Sequence, residues 1–293
     1  MASSAPALPH GATLDYPDVA PTVLQPEFLR LVADSLRSHG IVLLHKFPYD
    51  SAALVALARR FGLPQRLLLS REKVAGHDPR NWVTDVRFRA DIPETDRFDF
   101  VEGTQQLGLH TARATAAVQP QLLLMYMADP GERGADKADQ GQSWFARLDD
   151  ALHQLAVDHG PGRADKMVET LANTAFQPID ARRPYPFVGS VLARKDNGCW
   201  KLRYWEFIAR QAEGNAPPAL AAAIVALDAA LNHESVRHEI ALDAGDLVLL
   251  DNERVAHGRR AFSAWGVGPG GERIPSARHI MNLKVFSELE VVG

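Results

Sequence analysis

The sequence predicts a mostly β fold with flanking helices, a double-stranded β-helix or jelly roll, and three observations carry that prediction. Short apolar runs recur late in the chain, at residues 238–242, 247–250 and 279–286, and another lies at 121–127; turn residues bound them. Few helical patterns connect these runs, so the regular alternation of a doubly wound parallel sheet is missing. A helical segment precedes them all, near the N-terminus.

Taken in order, residues 1–23 are rich in Ala, Ser and Pro and are expected to form a flexible arm, followed by one domain over 24–293. Residues 27–39 carry apolar side chains at helical spacing, and Gly40 is a natural stop before the strand 41–44. Asp50 and Ser51 then cap a helix over 52–61 that ends at Gly62 and Pro64. Segment 65–107 is mixed and polar, with a strand at 82–86, and reads as a lid or substrate segment. The continuous run 121–127 suits a buried strand, and 131–142 is a polar loop. A capped helix is expected over 148–156, irregular chain over 163–190, an alternating strand over 201–205 and an amphipathic helix over 217–233. A turn at 244–246 leads into the strand 247–250, and the last strand is 279–286.

With 293 residues, 46% apolar and 23% charged, the chain can bury one substantial core. A net charge of −4 gives no electrostatic reason to bind a nucleic acid polymer or an anionic membrane, so a small-molecule partner is expected. Cys199 stands alone and permits no intramolecular disulfide. No basic-then-apolar leader and no apolar run of about 18 residues occurs, which reads as a soluble, cytoplasmic protein. Oligomeric state leaves no mark in the sequence.

The residues that carry chemistry lie in two stretches, Gly108-Leu109-His110-Thr111-Ala112-Arg113 and the run from Ala244 to Arg259 that contains His257. A histidine in either place is ordinarily a polar core or loop residue. As a pair 147 residues apart (257 − 110), followed by Arg278, their arrangement resembles an iron site in which a triad holds the metal on one face. The third ligand of such a triad is a carboxylate. None of the 11 histidines has Asp or Glu two residues on, and Ala112 stands where that carboxylate is sought.

The run from Ala244 to Arg259 closely resembles the second-histidine motif of the iron(II)/2-oxoglutarate oxygenases of the taurine dioxygenase and clavaminate synthase-like group. Residues 40–44 and Arg59-Arg60-Phe61-Gly62 are similar to that group's N-terminal strand and helix; the resemblance is weakest at 65–105 and 160–235. It implies a cupin-like jelly roll that binds Fe(II) through His110 and His257 and uses 2-oxoglutarate and O2. It also implies that Arg278 holds the distal carboxylate of 2-oxoglutarate, with Ser143 adding a hydroxyl. The planar fork of an arginine suits that carboxylate. Arg278 lies further from His257 than in the group, and the Gly-rich stretch 266–271 accounts for the spacing. Asn282 stands where the group often has a second basic residue for substrate.

In the halogenase branch of the group, the position of Ala112 is Ala or Gly and a halide takes the vacated place on iron. His110-Thr111-Ala112 resembles that branch, which implies chloride as a further cofactor and Ala112 with Thr111 as a halide pocket. The reaction so implied is hydrogen abstraction by an iron-oxo species from an unactivated aliphatic carbon, followed by halogen transfer. Two other readings stay open: a hydroxylase of a free amino acid or similar metabolite, with water or a carboxylate such as Asp99 or Glu102 completing the sphere, and a non-catalytic ligand-binding relative. The substrate is expected to be small, polar and anionic, an amino acid or a nucleotide. Arg87, Arg89, Arg203 and Asn282 are the candidates to contact it, within a basic set including Arg71, Lys73, Arg97, Arg194, Lys195 and Lys201 whose bland reading is a solvated face. Trp82, Phe88, Tyr204 and Trp205 would stack on a nucleotide's base, although such residues more often fill core.

Overall fold

The computed structural model describes residues 11–17, 24–66, 78–97, 99–131, 141–177 and 188–286. Its centre is built from the continuous apolar runs, because strands covered on both faces need no polar side. β2 (Ile41–His45), β6 (Leu122–Asp129), β11 (Leu247–Asp251) and β15 (His279–Phe286) are the inner members of a seven-stranded sheet. β1 (Ala12–Asp15) lies parallel to β2 at one edge; β3 (Leu63–Pro64) and β4 (Thr84–Arg87) both pair with β15 at the other. A second, antiparallel sheet runs in the order β10 (Arg237–Ile240), β7 (Ser143–Arg147), β12 (Val255–Arg259), β5 (Leu107–His110); the short α3 (Asp99–Glu102) precedes β5, and β13 (Trp265–Val267) pairs with β14 (Arg273–Pro275) between β12 and β15.

The two sheets face each other. Ile41, Leu43, Leu123, Met125, Val248 and Ile280 of the large sheet pack with Phe145, Ile240, Val255 and Ala112 from the other side. Alternate residues of the large sheet, such as Val42, Leu44, Leu124 and Leu249, are buried together with side chains of α1 (Pro26–His39) and α2 (Ser51–Ala58). Trp144 and Ala146 of the small sheet turn the opposite way, towards α4 (Leu148–His159), α5 (Pro161–Asn173), α6 (Ile208–Asn215) and α7 (Pro218–Asn232). Helix, sheet, sheet, helix is thus the layer order, a β-sandwich with flanking helices.

Local signals explain the boundaries. Gly40 ends α1 in the left-handed region, φ 75°, and donates to Leu36 O at 2.7 Å. The Asp50 carboxylate accepts from Ala52 N at 2.8 Å and caps α2.

Four differences from the sequence reading have physical causes. The arm expected over 1–23 contains β1, held by its backbone pairing with β2. Residues 163–190 are not wholly irregular: Pro161 opens α5, which buries Ala164 and Leu171 and otherwise shows a polar face. The alternation at 201–205 yields only β9 (Trp200–Leu202), paired with β8 (Leu192–Arg194), before the chain turns away. The strand expected at 82–86 starts at Thr84, after a 3-10 turn over Pro79–Trp82. Arg71, Lys73, residues 182–186 and most of the loop at 131–142 lie outside the described residues. No helix among the described residues is long and apolar enough to cross a membrane.

Candidate active site

Neighbouring strands β5 and β12 set His110 directly opposite His257. Their close approach depends on the glycine after His257, because a Cβ on Gly258 would stand 2.7 Å from Leu107 O. The two imidazole centroids lie 4.3 Å apart, with the ring planes at 47°. His110 Nδ1 is 3.0 Å from the Gly108 carbonyl, which can only accept, so Nδ1 carries the proton and Nε2 keeps its lone pair. Gly108 N in turn donates to the carboxylate of Glu206, a residue that no motif or spacing singles out. His257 Nδ1 is buried without a partner among the described residues. Burial is the main reason both imidazoles stay below their usual range, opposed at His110 by the Gly108 bond and reinforced at His257 by His110. Neutral imidazole is the form that binds a metal.

After His110 the chain turns, and Ala112 is buried in the apolar cluster between the sheets. Asn252 holds this residue on both sides: Ala112 N donates to Asn252 Oδ1 at 2.6 Å, and Asn252 Nδ2 donates to Ala112 O at 3.1 Å and Pro120 O at 2.8 Å. Arg113 follows in the left-handed region, φ 58°. Thr111, expected to line a halide pocket, has its hydroxyl on the Tyr204 backbone, accepting from Tyr204 N at 3.2 Å. Arg203, expected to meet substrate, donates to the carbonyls of Ala114, Ala116 and Ala117 at 3.0, 2.7 and 3.2 Å. Both therefore brace the turn that carries Ala112. Among the described residues no third His, Cys, Asp or Glu, Glu102 included, joins the histidine pair as a metal-binding group. The Asp99 side chain is outside the described part.

Arg278 precedes β15 and is 2% exposed. Its Nη2 donates to Gly141 O at 2.7 Å, while Nε and Nη1 have no acceptor among the described residues. Gly131 and Gly141 have φ of 72° and 62°; a Cβ on Gly141 would stand 2.5 Å from Arg278 Nε. Ser143 Oγ, two residues after Gly141, is likewise buried and unpartnered. Arg259 lies on β12 two residues from His257, so the strand's alternation gives both side chains one face. It is buried too, with Nη2 on the carbonyls of Gly103 and Gln105 at 3.2 and 3.0 Å and with Nε and Nη1 lacking an acceptor among the described residues. The Phe262 ring lies 5.0 Å from the Arg278 guanidinium and 4.9 Å from that of Arg259. Burial, then Arg259, brings Arg278 down to about 9; burial brings Arg259 down to about 10. Both stay protonated at neutral pH, and buried cations of this kind call for an anion.

The remaining candidates are scattered. Arg89 binds Asp91 through Nε and Nη2 at 2.9 and 2.8 Å. Arg87 faces His279 across β4 and β15. Asn282 lies on β15 with a buried Oδ1 that has no partner among the described residues. Lys195 and Lys201 both bind the Glu253 carboxylate. The aromatic set is engaged within the chain: Trp205 stacks on Phe176, Phe88 packs edge-on to Trp265, Trp82 lies under Arg59 and Arg66, and the buried Tyr204 donates its hydroxyl hydrogen to Asp228.

No curated protein matches this chain in sequence. Among solved structures it is similar to asparagine oxygenase (AsnO), with TM-score 0.63 and 19% identity over 90% of this chain and 80% of that one. It is also similar to a taurine dioxygenase from Burkholderia xenovorans, TM-score 0.61 and 14% identity over 95% and 88%. A third, AAD-2 in complex with Mn(II) and N-oxalylglycine, gives TM-score 0.65 and 14% identity over 97% of each chain. Such likeness shows a shared fold, whereas the model of one family, taurine catabolism dioxygenase TauD, TfdA family, matches residues 4–282, and it is to this family that the chain belongs.

Proposed function

We propose that this protein is an iron(II)/2-oxoglutarate-dependent enzyme that hydroxylates an aliphatic carbon of a small, anionic metabolite such as an amino acid, its sandwich closing as a double-stranded β-helix. One observation carries the reading: neutral His110 and His257 lie side by side between the sheets, in a fold that also buries Arg278 with unpaired donors. The donor set fits the cofactors, since His257 Nδ1, Ser143 Oγ and two Arg278 nitrogens are buried polar atoms without partners in the described chain. His110 and His257 would hold the metal; the Arg278 fork and Ser143 would take the distal carboxylate of 2-oxoglutarate. When bound, iron(II) with 2-oxoglutarate and O2 supplies the oxidising power to break a C–H bond. Asparagine oxygenase has been solved with Fe(II), 2S,3S-3-hydroxyasparagine and succinate, and OrfP with Fe and alpha-ketoglutaric acid, which supports this cofactor set. A nucleotide substrate loses its main argument, because the aromatic side chains proposed to stack on a base are packed against other residues.

Halogenation is the second reading, and Ala112 favours it: the residue supplies no ligand, and an exogenous anion such as chloride would complete the sphere. Two of the similar structures above are named as an oxygenase and a dioxygenase, and the family is named for a dioxygenase, so hydroxylation stands first. The test is anaerobic visible absorption of the protein with Fe(II) and 2-oxoglutarate, with and without chloride. A charge-transfer band indifferent to chloride supports hydroxylation, and a band that chloride shifts supports halogenation. Absence of any band, with no succinate formed in air, would leave a ligand-binding relative.

A further inference from the structure

Strands β12 and β7 pair in register, which sets Arg259 opposite Ser143 and His257 opposite Phe145. Directly paired residues project to the same face. Phe145 belongs to the cluster between the sheets, so Ser143 and Arg259, each two residues from that pair, lie on the inner face as well. On its other side β12 meets β5, where His257 stands opposite His110 and Arg259 opposite Leu107. Two steps along β12 thus match three along β5, a bulge just before the histidine. β5 begins at Leu107, and ahead of it Arg259 Nη2 holds the chain instead, on the carbonyls of Gly103 and Gln105 at 3.2 and 3.0 Å. Phe262 N adds a bond to Thr104 O at 3.0 Å. Residues 103–105 follow Val101, which packs on the inner cluster, and run directly into β5.

A side chain that only braced backbone would need no more than these bonds. Arg203, which braces the turn after β5, leaves no buried nitrogen without a partner. Arg259 is 5% exposed, yet its Nε and Nη1 have no acceptor among the described residues. Arg278 is divided in the same way, with Nη2 on Gly141 O and with Nε and Nη1 left over. The two guanidiniums lie 4.9 and 5.0 Å from one ring, that of Phe262, and like charges so placed repel. Burying them without an anion costs stability. Two donor nitrogens on each arginine and the Ser143 hydroxyl exceed what a neutral acceptor takes up; an ionised carboxylate, with two oxygens and about four lone-pair sites, matches them.

We propose that Arg259 is a second arginine of the co-substrate cradle: its Nε and Nη1 share with Arg278 and Ser143 the distal carboxylate of 2-oxoglutarate, while its Nη2 keeps hold of residues 103–105. One side chain then ties the co-substrate to the backbone that leads into His110, so that binding of 2-oxoglutarate stiffens this segment. This rests on the reading of the chain as a 2-oxoglutarate enzyme, and it adds to that site a selectivity residue and a mechanical link.

The test follows the anaerobic charge-transfer band of the full chain with Fe(II), titrated with 2-oxoglutarate and with 2-oxopentanoate, which keeps the 2-oxo acid and lacks the distal carboxylate. Arg259→Met should weaken 2-oxoglutarate at least about tenfold and leave 2-oxopentanoate within about threefold of the wild type, the pattern of a lost charge-assisted contact. Equal losses for both acids would mark a purely structural arginine, and no loss for 2-oxoglutarate would leave its carboxylate to Arg278 alone; either result overturns the proposal. If Arg259→Met does not fold, Arg259→Lys serves in its place, with a loss of at least about threefold confined to 2-oxoglutarate, because an ammonium cannot span both partners.

A second measurement needs no iron. Glutarate, a dicarboxylate without the 2-oxo group, should slow amide hydrogen exchange across residues 103–107 of the wild type at least about threefold, and should not do so in the Arg259 variant. Unchanged exchange in the wild type, or slowing that persists in the variant, overturns the link. If neither 2-oxo acid gives a band with the wild type while glutarate still slows exchange through Arg259, the cofactor reading fails and the two-arginine anion site stands.

Discussion

Gly141 and Ala112 define the site by what they leave out. At Gly141 a methyl group would meet the Arg278 guanidinium and force a side chain into φ 62°. Gly141→Ala should therefore weaken 2-oxoglutarate at least about tenfold in a charge-transfer titration, with a stability loss of about 1–2 kcal/mol in urea. Gly271→Ala is the control: φ is 83°, yet no atom lies within 4 Å of the new methyl, so stability should fall without loss of 2-oxoglutarate binding. At Ala112 the missing atoms are a carboxylate. Ala112→Asp should tighten Fe(II) binding and remove any chloride response of the charge-transfer band; a response that persists in the variant sinks the idea that an anion replaces this ligand. Both positions were legible in part. Ala112 was conspicuous because it follows a histidine by two, whereas Gly141 acquires its meaning from an arginine 137 residues away (278 − 141).

The element that decides the geometry is the turn after β5. Asn252 bonds the backbone of Ala112 and Pro120 while Arg203 caps three carbonyls at residues 114–117, so the connections after β11 and β9 both shape the histidine side of the site. Asn252→Ala would leave three buried backbone groups without these bonds; a loss of about 2–4 kcal/mol in urea denaturation and weaker Fe(II) binding are expected. An unchanged Fe(II) affinity in a folded variant would show that the turn does not position the metal side. The sequence spoke clearly for strands such as β2, β6 and β11, since burial on both faces writes itself as an uninterrupted apolar run. It read α5, which buries little, as irregular chain, and it took Arg203 for a substrate contact although its partners are carbonyls that no side-chain pattern records. Arg259 and Lys284 were within reach, because counting in twos from His257 and from Ile280 puts them on the inner face.

At the scale of the whole molecule, a chain of net charge −4 holds cations that no carboxylate pairs among the described residues: the buried Arg278 and Arg259, and the half-buried Lys284. Net charge speaks against polyanions and is silent on this local cationic surface, which complements a small anion. This arrangement makes stability depend on pH with a definite sign. Burial, then Arg113, brings folded Lys284 to about 8 from its ordinary 10.5. Between those values the unfolded chain holds a proton that the folded chain has released, so the contribution of Lys284 to stability rises with pH across that window; below it both states are protonated and the penalty is complete. Lys284→Met removes this dependence. Urea denaturation of the wild type and the variant, at intervals from about pH 7.5 to about pH 10.5, should show the variant's advantage greatest at the low end and shrinking as pH rises. A gap that is constant across the range, or that widens with pH, would mean that the folded chain does not disfavour the charge on Lys284.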